Sequence, residues 1–183
     1  MLLMCATSSA QMKWNQSYQT YINQYKDLAI EQMLRYRIPA SITLAQGLFE
    51  SRAGQSDLAR QGNNHFGIKC HNWTGPTQYH DDDAHGECFR VYQDAKESYE
   101  DHSRFLAKQP RYSRLFSLNT TDYKGWAHGL KSCGYATNPQ YANKLIQIIE
   151  LYRLQDYDKA KSFDRFMATH SGTDVPINAE GTL

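Results

Sequence analysis

The chain has 183 residues, of which 40% are hydrophobic and 13% aromatic, and its formal net charge is +1 at pH 7. This is enough apolar material to bury the core of one ordinary domain. No run of Lys or Arg could neutralise a phosphate backbone, which argues against nucleic acid as a partner, and no apolar run approaches the roughly 20 residues that a membrane span needs.

The first ten residues, MLLMCATSSA, combine a short apolar patch with the small residues that precede a signal-peptide cleavage site. Cleavage would follow Ala10. Attachment as a lipoprotein through Cys5 is the alternative. We expect residues 1–10 to be the remnant of a signal peptide, residues 11–157 to form the domain, and the mature protein to act in the periplasm or outside the cell, where disulfides persist.

Two helices are predicted before residue 55. Residues 17–37 place apolar groups at helical spacing, and Pro39 then breaks the pattern and suits the first turn of a second helix. Gly54 is suited to ending that second helix, which is apolar along most of its length. Glu50 therefore lies near the helix end, where the helix dipole disfavours a negative charge.

The character of the sequence changes over residues 57–92, which contain glycines, paired asparagines and short β-prone runs. This pattern predicts a loop followed by a small antiparallel hairpin. The strands should lie near residues 76–80 and 87–92, joined by a turn through the segment DDDAHG.

Cys70 and Cys88 flank this hairpin, and a hairpin would bring them together, so we expect a disulfide between them. A zinc site is the alternative, because three histidines lie between the two cysteines. The closely spaced Cys or His pairs that are typical of zinc sites are absent, however. We expect no metal and no cofactor, and Cys133 would remain as a free thiol.

Helical patterns return after the hairpin. They cover residues 95–109 and 121–134, the latter with a threonine cap, and resume where Asn138 is the expected cap and Pro139 occupies the first turn. The pattern then fades, and residues 158–183 are expected to be a tail or linker. The predicted fold class is α+β and mostly α: a helical lobe and a small antiparallel β-hairpin lobe with a cleft between them.

Glu50 is the most informative single residue. Its apolar neighbours and its place at a helix end both favour the protonated form of the side chain, and so should raise its pKa. A carboxylic acid that keeps its proton near neutral pH can protonate a glycosidic oxygen. From periodicity alone, a solvated glutamate at a helix end is the simpler interpretation.

Four stretches bear on that choice: SITLAQGLFESRAGQSDLA, GNNHFGIK, CFRVYQDAKESYEDHSRFL and GLKSCGYATNPQYANKLIQII. In order and spacing they resemble glycoside hydrolase family 73, the bacterial N-acetylglucosaminidase domain of peptidoglycan hydrolases. The resemblance covers about residues 20–155. It implies a lysozyme-like fold, a glycan strand of peptidoglycan as the binding partner and no cofactor, and we expect a monomer.

The resemblance also implies roles for individual residues. Glu50 would be the general acid. Asn64 and Phe66 of the GNNHFGIK stretch would lie beside the cleft. Tyr141 would hold or polarise the N-acetyl sugar, and Tyr135 would line the same groove. For Tyr141, a purely structural role in helix packing is the alternative.

The second carboxylate is where this sequence departs from the family. Members often carry a glutamate on the hairpin in a Thr-x-Glu-Tyr setting, where this chain has Gln78. Counting back from the turn glycine makes Asp82 the expected substitute. Asp81 is the next candidate and is otherwise expected to bind substrate, and a solvated acidic turn is the alternative. A second carboxylate would activate water and invert the anomer, whereas without one the 2-acetamido group of the substrate would attack.

The sequence therefore predicts an endo-β-N-acetylglucosaminidase that hydrolyses the β-1,4 bond between N-acetylglucosamine and N-acetylmuramic acid. Two alternatives remain open. One is cleavage of the lytic transglycosylase type, which forms a 1,6-anhydro product. The other is a catalytically inactive module that retains the cleft and binds glycan.

Overall fold

The computed structural model describes residues 12–81 and 85–162. The α-helices of this part of the chain are α1 Gln16–Tyr36, α2 Ala40–Glu50, α3 Asp57–Gly62, α4 Ala95–Lys108, α5 Tyr123–Ser132 and α6 Tyr141–Leu151. Strands β1 Thr77–His80 and β2 Glu87–Arg90 form an antiparallel pair, and 3-10 segments cover Pro110–Ser117 and Leu154–Lys159. The prediction of a mostly helical fold with one small hairpin is confirmed. The expected signal-peptide remnant, most of the expected tail and Asp82 lie outside the described residues.

Helix α2 lies at the centre of the fold. Every residue from Ala40 to Leu48 is buried, and the helix packs against α1, α6 and the last 3-10 segment. A helix that is buried on all sides carries no exposed polar stripe, which explains its nearly continuous apolar sequence. This packing fixes the position and direction of the helix whose last residue is Glu50.

The N-terminus of α2 is anchored by a residue from the far end of the domain. Pro39 at the cap position makes no side-chain hydrogen bond. Instead, the carboxylate of Asp158 accepts hydrogen bonds from the Ser41 backbone N–H at 2.8 Å and from the Ser41 hydroxyl at 2.6 Å. Asp158 is buried, and the 3-10 segment that carries it extends to Lys159, so ordered packing continues two residues past the expected end of the domain.

The helices after the hairpin follow the sequence prediction, with corrections where α5 and α6 begin. Helix α5 is capped by the side chain of Asp122, which accepts from the Gly125 N–H, rather than by a threonine. Helix α6 begins at Tyr141 rather than at the proline after Asn138. The Asn138 side chain instead accepts from the Gln140 N–H and shapes the turn before the helix.

The hairpin lobe is small, and the predicted disulfide is confirmed. Strand β1 pairs with β2 in register from Thr77 opposite Arg90 to His80 opposite Glu87. A disulfide joins Cys70 to Cys88. Within the described residues, no cluster of three metal-binding side chains occurs, and no helix is long and apolar enough to cross a membrane.

Two short elements were not predicted. Helix α3 lies within the region that was expected to be loop, where the Ser56 side chain caps it by accepting from the Ala59 N–H. The 3-10 segment that begins at Pro110 follows α4 after one residue. Both elements contribute walls to the cleft described next.

Candidate active site

A cleft of about 610 Å³ is lined by both the helical part and the hairpin lobe. Its walls come from six places: the end of α2, the start of α3, residues 66–71, the hairpin, the end of α4 with the 3-10 segment after it, and the loop that leads into α6. A concave site where two structural units meet is the usual form of a ligand pocket. The cleft predicted between the two lobes is therefore present.

Glu50 lies at this cleft. It is the last residue of α2, is half-buried and lines the cavity. Its carboxylate is hydrogen-bonded to the side chain of Tyr141. A carboxyl group at the rim of a cleft, held at the end of a buried helix, is placed to exchange a proton with a bound molecule.

Tyr141 connects Glu50 to the core. Its hydroxyl accepts a hydrogen bond from the Gln46 amide nitrogen at 3.0 Å. Its ring contacts Phe49 edge-on with centroids 5.9 Å apart and stacks on Tyr135 at 5.7 Å. Burial raises the pKa of Tyr141 well above its usual range, and the negative charge of Glu50 raises it further. The hydroxyl therefore keeps its proton and can donate it in the hydrogen bond to Glu50.

Tyr135 extends the same wall of the cleft. Burial and the negative charge of Glu50 raise its pKa well above the usual range for tyrosine. Together with Tyr141 it presents an aromatic surface beside the acid, and aromatic faces of this kind suit the apolar faces of sugar rings. The structure thus brings Glu50, Tyr135 and Tyr141 together at the cleft.

The turn after Glu50 has an uncommon backbone. Arg52, Ala53 and Gly54 have φ angles of 51°, 56° and 78°, three left-handed residues in succession. The Ser51 hydroxyl organises this turn, because it donates to the Gly47 carbonyl and accepts from the Gly54 N–H. Left-handed non-glycine residues are unfavourable and persist only where the surroundings hold them. The turn ends the helix abruptly and leaves Glu50 at the cavity.

Phe66 and Asn64 have different positions although they are two residues apart. Phe66 lines the cleft and stacks on His102 with ring centroids 3.9 Å apart. Asn64 is buried, and its side chain bonds both backbone groups of Ile68 and the Arg90 carbonyl. Asn64 thus joins the turn that carries Phe66 to strand β2, and any effect it has on substrate would act through that turn.

At Gly47, side chains from other parts of the fold pack unusually close to helix α2. A Cβ atom at Gly47 would lie 2.7 Å from the Tyr21 hydroxyl, 3.0 Å from the Tyr99 hydroxyl and 3.3 Å from the Phe66 ring. Those two hydroxyls are hydrogen-bonded to each other, and Tyr21 also bonds His65. Glycine at this position therefore lets a polar cluster and the wall of the cleft pack directly on the helix that ends at Glu50.

The acidic turn of the hairpin is only partly described. Asp81 is exposed, and its carboxylate accepts from the Gly86 N–H at 2.7 Å and contacts His85 at 3.1 Å. The hydrogen bond from Gly86 lowers the pKa of Asp81, with His85 adding to the effect. Among the described residues, the carboxylates that line the cleft are those of Glu50 and Asp57. The predicted role of Asp82 falls outside the described residues.

Several lining residues were missed from the sequence. They include Asp57 at the start of α3, Arg52 after α2, and a basic group formed by Lys69, His71 and Arg111. Lys69 and His71 lie on either side of a cysteine in the predicted loop, so a signal for them existed in the sequence. For Arg111 there was none, because its 3-10 segment has no periodic pattern long enough to detect.

Comparison with known proteins identifies the family. Residues 26–154 match the glucosaminidase family, described as mannosyl-glycoprotein endo-beta-N-acetylglucosaminidase. The exo-glucosaminidase LytG of Bacillus subtilis is 35% identical over 68% of this chain, and the peptidoglycan hydrolase FlgJ of Vibrio cholerae is 31% identical over 78%. The chain spans about half the length of these relatives, 48% and 45% respectively.

Comparison with solved structures points to the same family. The catalytic domain of the autolysin Auto from Listeria monocytogenes superimposes with a TM-score of 0.66 at 30% identity, covering 81% of this chain and 91% of that domain. The glycoside hydrolase domain of FlgJ from Salmonella typhimurium gives a TM-score of 0.63 at 25% identity, covering 83% and 98%. The fold is thus lysozyme-like, and the chain belongs to the glucosaminidase family, glycoside hydrolase family 73.

Proposed function

We propose that this chain is a peptidoglycan hydrolase that cuts the β-1,4 bond between N-acetylglucosamine and N-acetylmuramic acid. The observation that carries the proposal is Glu50, held at the end of a buried helix and hydrogen-bonded to Tyr141 inside a two-sided cleft. Relatives named as a glucosaminidase and as peptidoglycan hydrolases support the same chemistry.

In the proposed reaction Glu50 enters protonated and gives its proton to the bridging oxygen as the glycosidic bond breaks. As this bond breaks, positive charge develops on the N-acetylglucosamine ring, which keeps the anomeric carbon, and the muramic acid leaves with the proton on its oxygen. Tyr141 keeps its own proton throughout, because burial opposes its loss and the negative charge that Glu50 carries after the transfer opposes it further. Its hydroxyl therefore donates to the Glu50 carboxyl group and orients it, and its place beside Glu50 is proposed to position the N-acetyl group.

Asp82, assisted by Asp81, is proposed to act from the hairpin side. A carboxylate there would activate a water molecule on the opposite face of the sugar and invert the anomer. The two carboxyl groups of inverting enzymes are separated by about 6.5–9.5 Å, which leaves room for that water. Asn64 is proposed to act through the turn that carries Phe66, and Tyr135 by stacking against the sugar.

The position of cutting along the strand is proposed to be internal, although the similar LytG protein is named an exo-glucosaminidase. Sizing the products of a long glycan strand tests this directly. Internal cutting shortens the average strand early in the reaction, whereas end-wise cutting releases disaccharides while most strands stay long.

We also propose that the protein acts outside the cytoplasm, in the periplasm or beyond it. The disulfide between Cys70 and Cys88 supports this placement, because such bonds persist in oxidising compartments. Protein recovered from cell fractions should carry the bond, which mobility on a non-reducing gel before and after thiol labelling would show.

Mass spectrometry of digested peptidoglycan tests the function. Products with N-acetylglucosamine at the reducing end support the proposal, whereas 1,6-anhydromuramic ends would establish the lytic transglycosylase reaction instead. If purified wall shows no loss of turbidity, yet still retains both the wild type and the Glu50→Gln variant, the chain is a glycan-binding module.

A further inference from the structure

One end of the cleft is basic. Lys69, His71 and Arg111 all line it, and they come from two separate segments of the chain. Arg111 and His71 meet at Phe105: the guanidinium carbon lies 5.9 Å from the ring centroid, and the imidazole stacks on it at 6.1 Å. A cluster of this kind inside a glycan-binding cleft requires an explanation, because a neutral sugar polymer offers no charge for it to bind.

Arg111 differs from its basic neighbours in having no acidic partner among the residues that the structure describes. Lys69 is paired with Glu87 at 2.7 Å, and Arg90 with Asp101 at 2.8 Å. Arg111 instead rests on the face of Tyr112, with its guanidinium carbon 4.7 Å from the ring centroid. Stacking holds the planar guanidinium group in place where it lines the cavity.

The lowered pKa of His71 also reflects the positive charge of the residues around it. Its pKa lies below the usual value, first because of burial and then because of the positive charges of Arg90, Arg111 and Lys69. His71 is therefore neutral at pH 7 and adds hydrogen-bonding capacity rather than charge. Three cations act on His71, and of these only Arg111 has no carboxylate beside it within the described residues.

An aromatic row connects this basic end to the acid. Tyr112 lies 6.2 Å from Tyr135, which in turn stacks on Tyr141 at 5.7 Å, next to Glu50. The path from the guanidinium to the carboxyl group of Glu50 thus passes through three tyrosine rings. An extended peptide advances about 3.5 Å per residue, so a short peptide attached to a sugar near Glu50 would reach Arg111.

We propose that Arg111, supported by Lys69 and His71, binds a carboxylate carried on the 3-O substituent of the muramic acid ring. This inference rests on the proposed function. The carboxylate has two sources: the lactyl group itself where the glycan is bare, or the peptide attached to it. A guanidinium suits the task because its fork of N–H groups matches the two oxygens of a carboxylate. The site would favour muramic acid over neutral chitin-like polymers.

Binding to Glu50→Gln protein tests this without requiring turnover. Titration calorimetry compares that variant with its Arg111→Met derivative and with a matched Lys108→Met derivative, since Lys108 is an exposed cation that does not line the cleft. The ligands are soluble peptidoglycan strands that carry peptides, the same strands after removal of the peptides, and chitohexaose. A single charge-assisted contact corresponds to about a tenfold change in Kd.

We expect Arg111→Met to weaken binding of at least one anionic ligand about tenfold, to leave chitohexaose unchanged, and to be partly rescued by Arg111→Lys. Loss confined to peptide-bearing strands assigns the peptide carboxylate; loss confined to bare strands, or shared by both, assigns the lactyl group or both sources. Unchanged binding of both anionic ligands, or equal weakening of chitohexaose, overturns the proposal. Absence of wall hydrolysis by the wild type would instead refute the proposed function, while the binding result still decides this inference.

Discussion

The two sides of the cleft are stabilised in different ways. On the helical side, Glu50 ends a helix that is buried along nine consecutive residues and fixed at its other end by Asp158. On the hairpin side, only Phe89 of the eight strand residues is buried, Tyr79 is 71% exposed, and a disulfide closes the lobe. The acid is thus positioned by packing, whereas the surface opposite it depends on a covalent bond and a few hydrogen bonds.

The largest expected effects on the rate of hydrolysis come from replacing one carboxyl group on each side of the cleft with an amide. The two variants also separate the roles of the helical side and the hairpin side. We expect Glu50→Gln to reduce the rate of peptidoglycan hydrolysis at least about a thousandfold, because an amide cannot supply the proton. Asp82→Asn should reduce it about a hundredfold if a carboxylate on the hairpin activates water. Release of soluble muropeptides measures both rates.

The melting temperature is the control for both variants. Neither exchange changes the side-chain volume appreciably, so both variants should melt at the temperature of the wild type. Wild-type rates for Asp82→Asn would show that the substrate's own acetamido group takes the place of the hairpin carboxylate. Residual activity above about a tenth for Glu50→Gln would remove Glu50 from the role of general acid.

Removing the disulfide should destabilise the hairpin side selectively. The bond closes a loop with a sequence separation of 18, for which loop entropy predicts a loss of about 3 kcal/mol in the free energy of unfolding in the variant with Cys70→Ser and Cys88→Ser. Denaturant titration measures this loss. Cys133→Ser is the matched control, because Cys133 is a free thiol, and it should unfold like the wild type; equal stability of all three proteins would contradict the prediction.

Much of the helical side could be predicted from the sequence, because its signals are local. Apolar periodicity located α1, α2 and α4, and Glu50, at the end of α2, lines the cleft. What could not be predicted depends on distant contacts. The cap of α2 comes from Asp158, 117 residues away from Ser41, and no local pattern marks such a pair.

The hairpin side shows the converse. Its strands and disulfide were predicted from turn residues and cysteine positions, yet its chemistry was not. The two cleft-lining strand residues, His80 and Phe89, are not acidic, and Asp81 is engaged with Gly86. Arg111 came from a short 3-10 segment, an element too short for periodicity to detect. The cleft-lining residue that could not be predicted, Arg111, therefore comes from a short irregular segment.

His102 lies beneath the cleft wall and gives a pH-dependent test. It is fully buried, stacks on Phe66, and neither ring nitrogen has a hydrogen-bond partner among the described residues. Burial lowers its pKa to about 3 from the model-peptide value of 6.5. The unfolded chain therefore binds a proton as the pH falls below 6.5 while the folded protein does not, so stability is lost between pH 6.5 and pH 3.

Replacing His102 with Phe should remove this loss while the ring contact with Phe66 is retained. We expect the variant to gain about 2 kcal/mol over the wild type at pH 5, beyond any gain at pH 8, because the unfolded-state protonation is absent. Denaturant titration at both pH values measures the difference. The buried His65, whose pKa burial lowers to about 4, is present in both proteins and cancels. A gain of the same size at both pH values would contradict the pKa of His102.

Tyr141→Phe gives the smallest effect and tests how the helical side holds its acid. The variant keeps the ring against Phe49 and Tyr135 but removes the hydroxyl that joins the Gln46 amide to Glu50. We expect about a tenfold lower kcat with KM nearly unchanged, since one positioning hydrogen bond of about 1.4 kcal/mol is lost from the reacting state. Tyr123→Phe is the matched control, because Tyr123 also begins a helix and bonds a glutamate, Glu150, away from the cleft. Should both variants retain wild-type kcat, packing alone would suffice to position Glu50, and the hydroxyl of Tyr141 would have no part in the reaction.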